Sequence, residues 1–153
     1  MLDAEMKEIS RGYHLLKRKD IPMNAWDKGA FEKHGISYHK SIKEGESPVY
    51  VLTEIREKML ASKYLVSHNF RFDMGAIDAT FDLFSMQKIR KNSICTMALS
   101  NKIWPKESKG LKPTWERIYR QKFDQKFRHH NALDDALAAA DLLKFFKEKG
   151  YIK

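Results

Sequence analysis

Two short runs, Lys63-Tyr64-Leu65-Val66 and Ser93-Ile94-Cys95-Thr96-Met97, constrain the fold of this chain more than any other feature. Each is too short for a helix and reads as a buried strand. Helical patterns surround them. Ser47-Pro48 opens one, with Ser as N-cap and Pro in the first turn, and Val51, Leu52, Ile55, Met59 and Leu60 share its face. Met74, Ile77, Phe81 and Phe84 recur about a turn apart beyond Asp73. A loop punctuated by Gly110 and Pro113 leads to a basic helix over 115–123. The last helix covers 132–149 and stops at Gly150; its Ala132, Ala136, Ala139 and Ala140 are small enough to lie close against a sheet. Helices that alternate with short apolar strands make an α/β layer fold. The N-terminal third adds a strand candidate at 12–16, an extended Ile21 before Pro22, and a short helix near 24–33 that His34-Gly35 closes.

At 153 residues the chain is long enough for one domain with a real core, and 42% hydrophobic residues exclude a disordered one. Lys and Arg number 29 against 20 Asp and Glu, a net charge of +9. That balance favours a polyanionic partner such as nucleic acid, although a merely well-charged surface accounts for it equally well. The single cysteine, Cys95, allows no intrachain disulfide and makes a Cys-based zinc site a poor fit. It points to a reducing, intracellular and hence cytoplasmic setting. No apolar run approaches the length of a membrane span, and Met1-Leu2-Asp3-Ala4-Glu5 is not a signal peptide, so no membrane partner is expected.

Two motifs carry candidate chemistry. His129-His130-Asn131-Ala132-Leu133-Asp134-Asp135 puts an imidazole before a helix and a carboxylate, Asp135, in its first turns. Ser67-His68-Asn69-Phe70-Arg71-Phe72-Asp73 ends a strand and offers a second carboxylate, Asp73, where α/β proteins build sites. Clustered carboxylates persist when a cation lies between them, and hard oxygen ligands suit Mg²⁺ or Mn²⁺. An imidazole beside them can take a proton from an attacking water. On periodicity alone the plainer reading has the better odds: an Asp that favours the helix dipole and a His that caps a helix. Asp134 reads as an exposed residue with a dipole role only.

His68, Asn69, Phe72 and Asp73, followed downstream by His130, Ala132 and Asp135, resemble motifs two and three of the DEDDh (DnaQ-like) 3′–5′ exonucleases, the family of the proofreading subunit of bacterial replicative polymerase. Ile21-Pro22, His34-Gly35-Ile36-Ser37, Glu44-Gly45 and Ile94-Cys95-Thr96-Met97 extend the resemblance from about Tyr13 to the C-terminus. It implies a ribonuclease-H-like mixed sheet flanked by helices. It also implies two divalent ions, Mg²⁺ or Mn²⁺, with Asp135 a direct ligand, Asp73 a ligand largely through water, and His130 the general base. Asn69 and the loop His34-Gly35-Ile36 would lie near the terminal nucleotide of a single-stranded 3′ end, and a DNA polymerase becomes a candidate partner. Arg117, Arg120, Lys122, Lys126 and Arg128 could contact phosphates, with a solvated basic face at least as good an account. Phe72 and Trp115 read as core rather than base-stacking platforms.

The family's first motif, Asp-x-Glu at the end of a central strand, has no clear counterpart. Asp3-Ala4-Glu5 has the letters without the preceding strand. The expectation is a single exonuclease-like domain over 1–153 that is truncated at its N-terminus, without the first strand and part of the second. Two function classes follow: a metal-dependent 3′–5′ exonuclease, inactive alone if the missing carboxylates are not supplied, or a catalytically dead nucleic-acid-binding or polymerase-interacting module. A His/Asp metal phosphohydrolase would need further ligands on helices, whereas His14, His34, His39 and His68 fall in strand or loop contexts.

Overall fold

The computed structural model describes residues 1–105, 110–128 and 130–152. The chain divides into two compact units, Gly12–Ala61 and a second made of Met1–Arg11 with Ser62–Lys153.

In the first unit, helix α1 (Lys28–His34) starts where the Asp27 carboxylate accepts the Ala30 N–H, and Gly35 ends it at φ 69°, a left-handed turn that glycine adopts without penalty. Ser37 caps α2 (Tyr38–Glu44) through the Lys40 N–H. Helix α3 (Pro48–Ala61) has Pro48 at its first position and buries Val51, Leu52 and Met59, as the spacing predicts; Leu60 lies off that face and is exposed. The strand expected at 12–16 is not formed. Only Leu16 finds a partner, in an isolated parallel bridge to Glu46, because a strand without a neighbour of matching length leaves its backbone groups to water.

In the second unit, β1 (Tyr64–Ser67) and β2 (Asn92–Cys95) pair in parallel, from Tyr64 opposite Asn92 to Ser67 opposite Cys95, with α4 (Phe70–Leu83) in the connection between them. Both strands are part-exposed rather than buried. Thr96 and Met97 do not extend β2: the Cys95 side chain accepts the Ala98 N–H and starts helix α5 (Thr96–Ile103) instead. Helix α6 (Leu111–Tyr119) begins after Gly110, so Pro113 lies in its first turn, where a proline costs no hydrogen bond, and the helix ends before Phe123.

Helix α7 (Ala132–Glu148) packs on β1, α5 and α6. Asn131 caps it, Asp134 and Asp135 stand at its positive end and Lys147 at its negative end. Its buried alanines are Ala138 and Ala139, whereas Ala132 and Ala136 face solvent. Trp115, Phe123, Phe127, Ala138, Leu142 and Phe146 form the core of the unit.

Candidate functional site

Strand β1 organises the candidate residues of the second unit, because both α4 and α7 pack against it. The backbone after β1 turns at Asn69, which is left-handed (φ 87°, ψ 52°), a region that Asn tolerates better than most residues. The Asn69 carbonyl accepts the N–H groups of Phe72 at 2.9 Å and Asp73 at 3.4 Å, so Asp73 stands in the first turn of α4 rather than in a loop after the strand. Just before it, Nδ1 of the half-buried His68 lies 3.0 Å from the hydroxyl of buried Thr96, which itself donates to the Ser67 carbonyl at 3.3 Å. That chain of contacts fixes the end of β1 to the start of α5.

Asp135 stands in the first turn of α7, half-buried, with Oδ1 shielded from solvent. His130 precedes the helix in a left-handed turn (φ 63°) and is exposed. Asp73 and Asp135 therefore occupy equivalent places on two helices that share one strand. His129 lies outside the described residues.

The loop His34-Gly35-Ile36 belongs to the other unit. There His34 Nδ1 accepts the Ile36 N–H at 3.0 Å, and the Ile36 carbonyl accepts the Trp26 indole N–H at 3.1 Å. Accepting at Nδ1 leaves Nε2 to carry the proton of the neutral ring.

Two readings from sequence need correction. Phe72 is not core: it is 72% exposed, in the same first turn as Asp73. The helix begins at Phe70, and two residues along a helix is over half a turn, which puts Phe72 off the Met74–Ile77–Phe81 face. Trp115 is fully buried, as expected. Asp134 is not an exposed dipole residue. Its side chain is 16% exposed, and its Oδ2 accepts both the backbone N–H of Arg128 at 2.9 Å and the guanidinium Nε at 3.1 Å. The basic residues proposed for phosphate contact are also partly engaged: Lys126 pairs with Asp141, Arg128 with Asp134, and Arg117 lies over the Trp104 ring.

Cys95 was missed as a feature of this region. Burial pushes its thiol up, but the backbone N–H groups of Phe70, Ala98, Asn69 and Met97 outweigh that and hold it below the ordinary thiol value. Its place at the starts of both α4 and α5 could not be seen before the strands were paired.

Asp3 does not stand at the end of a strand. Its Oδ1 accepts the N–H groups of Glu5 at 3.1 Å and Lys7 at 2.8 Å inside a tight turn beside the single bridge from Leu2 to Glu8. Among the described residues no group of three or more His, Cys, Asp or Glu side chains is placed to hold a metal ion. Asp73 and Asp135 have the right donor chemistry for a hard cation, but two carboxylates are too few to complete a site. Among the described residues no helix is long and apolar enough to cross a membrane.

A family model described as Exonuclease, of the RNase T type, matches residues 5–143. The DNA polymerase III PolC-type proteins of Streptococcus pyogenes serotype M18 (strain MGAS8232) and serotype M5 (strain Manfredo) are each 29% identical over 115 residues, covering 72% of this chain. The chain spans only 8% of the length of those relatives. The solved structure of Exonuclease X in complex with 5′ overhanging duplex DNA superposes with a TM-score of 0.56 at 19% identity, over 83% of this chain and 69% of that one. That likeness gives the chain a ribonuclease-H-like α/β fold.

Proposed function

The chain belongs to the DEDDh-type exonuclease family, whose model covers residues 5–143, and from that premise we propose that it is a single exonuclease domain that engages the 3′ end of a nucleic acid and cleaves its terminal phosphodiester. The observation that carries this reading is the matched placement of Asp73 and Asp135, each in the first turn of a helix packed on β1. Exonucleases of this family generally use divalent metals. Here Asp73 and Asp135 would be this chain's ligands for Mg²⁺ or Mn²⁺, with two ions as the family's full complement.

His130 would accept the proton of the attacking water, and its exposure leaves the ring accessible to a substrate. Asn69 and the exposed ring of Phe72 would meet the terminal nucleotide, the ring by stacking on a base. A DNA 3′ end is the substrate we infer, since the PolC-type relatives are DNA polymerases and Exonuclease X is solved in complex with 5′ overhanging duplex DNA, with a DNA polymerase as partner and the cytoplasm as compartment.

The shortage of ligands favours a second reading. Among the described residues no group of three or more His, Cys, Asp or Glu side chains is placed to hold a metal ion, and two carboxylates alone would leave hydrolysis in need of further oxygen ligands. Without them the chain is a binding module of the same fold. A fluorescent single-stranded oligonucleotide labelled at its 5′ end distinguishes the two. Under the first reading, Mn²⁺ gives a ladder shortened stepwise from the 3′ end, and Asp135→Ala abolishes it. Under the second, no ladder forms, while binding measured by anisotropy persists in both proteins and weakens with salt.

A further inference from the structure

We infer that Asp134 is a positioning residue for His130, acting by tying Arg128 to the start of α7. The inference rests on the reading of His130 as proton acceptor and deepens it.

Hydrogen bonds join Arg128, Asn131 and Asp134 on either side of His130 in sequence. The Arg128 carbonyl accepts the Asn131 N–H at 3.1 Å. Asn131 Oδ1 accepts the Asp134 N–H at 3.2 Å. Asp134 Oδ2 returns to Arg128, taking its backbone N–H at 2.9 Å and its Nε–H at 3.1 Å. The Asn131 carbonyl takes the Asp135 N–H at 2.8 Å, so the same residues set the start of the helix that carries Asp135.

His130 itself is left-handed, at φ 63°. A residue with a Cβ avoids that region unless its surroundings hold it there. Asp134 is the member whose side chain spans the loop, and a charged acceptor makes stronger bonds than a neutral one. An imidazole on an unheld loop would sample many positions, whereas proton transfer needs one. Asp134 thus sets the place of the ring while touching neither substrate nor the reacting atoms.

The test compares wild type with Asp134→Ala and Asp134→Asn in the full chain, by NMR and by kinetics. In Asp134→Ala the Arg128 amide and the His130 amide and Cα resonances should move toward those of an open loop. Asp134→Asn keeps an oxygen for the Arg128 N–H and should hold them near wild type. In the Mn²⁺-dependent assay Asp134→Ala should lower kcat by about 10- to 100-fold with KM for the oligonucleotide unchanged, and Asp134→Asn should recover most of the loss. A merely structural role would lower the folded fraction without that split. The inference is overturned if Asp134→Ala leaves the Arg128 and His130 resonances in place, or if a folded Asp134→Ala keeps wild-type kcat. If wild type releases no nucleotide, the exonuclease reading fails by itself, and the resonances alone decide whether Asp134 holds His130.

Discussion

The indole Nε1 of Trp115 donates to Oδ2 of Asp141 at 3.1 Å, and the same oxygen receives Lys126 Nζ at 2.7 Å. The Tyr119 hydroxyl donates to the Asp141 backbone carbonyl at 2.8 Å. One residue of α7 thus gathers α6 and the loop beyond it, which leads on to His130. Replacing Asp141 with Ala strands the buried indole N–H and frees Lys126, and the expected loss is about 2 kcal/mol. Urea unfolding checks this; an unchanged midpoint would mean that the aromatic packing holds α6 without the carboxylate.

Burial, and then the charges of Asp141 and Glu148, push the Tyr119 phenol up to about 12. A phenol whose pKa rises on folding favours the folded state while it is neutral. That stability is whole below the unfolded phenol value of about 10 and is lost as pH climbs from there through 12. Tyr119→Phe removes a group that must stay protonated. The mutant should be less stable than wild type at about pH 8, and its stability should fall less steeply between about pH 10 and 12. Urea midpoints of both proteins across that window make the comparison.

Gly45 is needed for space rather than for backbone freedom, since its φ is an ordinary −71°. A Cβ there would lie 2.2 Å from the Ser41 carbonyl oxygen and 2.6 Å from the Lys17 nitrogen. Close approach at this point lets the Leu15 carbonyl accept the Glu46 N–H at 2.7 Å and the Lys17 N–H reach the Glu46 carbonyl at 2.9 Å. Gly45→Ala should cost about 2 kcal/mol or more, through overpacking against backbone that cannot rotate away. Thermal unfolding would read it.

Phe72 is the inverse case, a large apolar side chain with little to lose from truncation. Phe72→Ala should leave stability within about 0.5 kcal/mol. If the ring stacks on a base, the same change should weaken binding of a single-stranded oligonucleotide by about 1–3 kcal/mol. Anisotropy titrations separate the two effects. Equal binding by both proteins would remove Phe72 from the substrate surface.

The contrast between Phe72 and α7 shows what the sequence could reveal. The apolar spacing and opening Pro48 of α3, Gly35 and Gly150 are local signals, and they marked helix starts and stops close to where they fall; the Asp27 and Ser37 caps went unread. Phe72 was legible in principle: extending α4 back to Phe70 turns it away from the buried face. Thr96 was not, because its β-branched side chain continued an apolar run, and the helix starts only because Cys95 caps it. Asp134 read as exposed, because the Arg128 groups that meet its carboxylate lie six residues back in the chain and leave no local signal. The motif carboxylates were visible by resemblance, whereas their common strand emerged only when α4 and α7 were both found on β1.

The central claim is that Asp73 and Asp135 face one cation-binding region from two helices on β1. Paramagnetic broadening of amide resonances during a Mn²⁺ titration tests it most directly. The account predicts that the segments 69–75 and 131–137 broaden together, and that Asp135→Ala abolishes broadening in both. It is contradicted if one segment stays sharp while the other broadens, or if both stay sharp while exposed carboxylates such as Asp82 and Asp124 attract the ion instead.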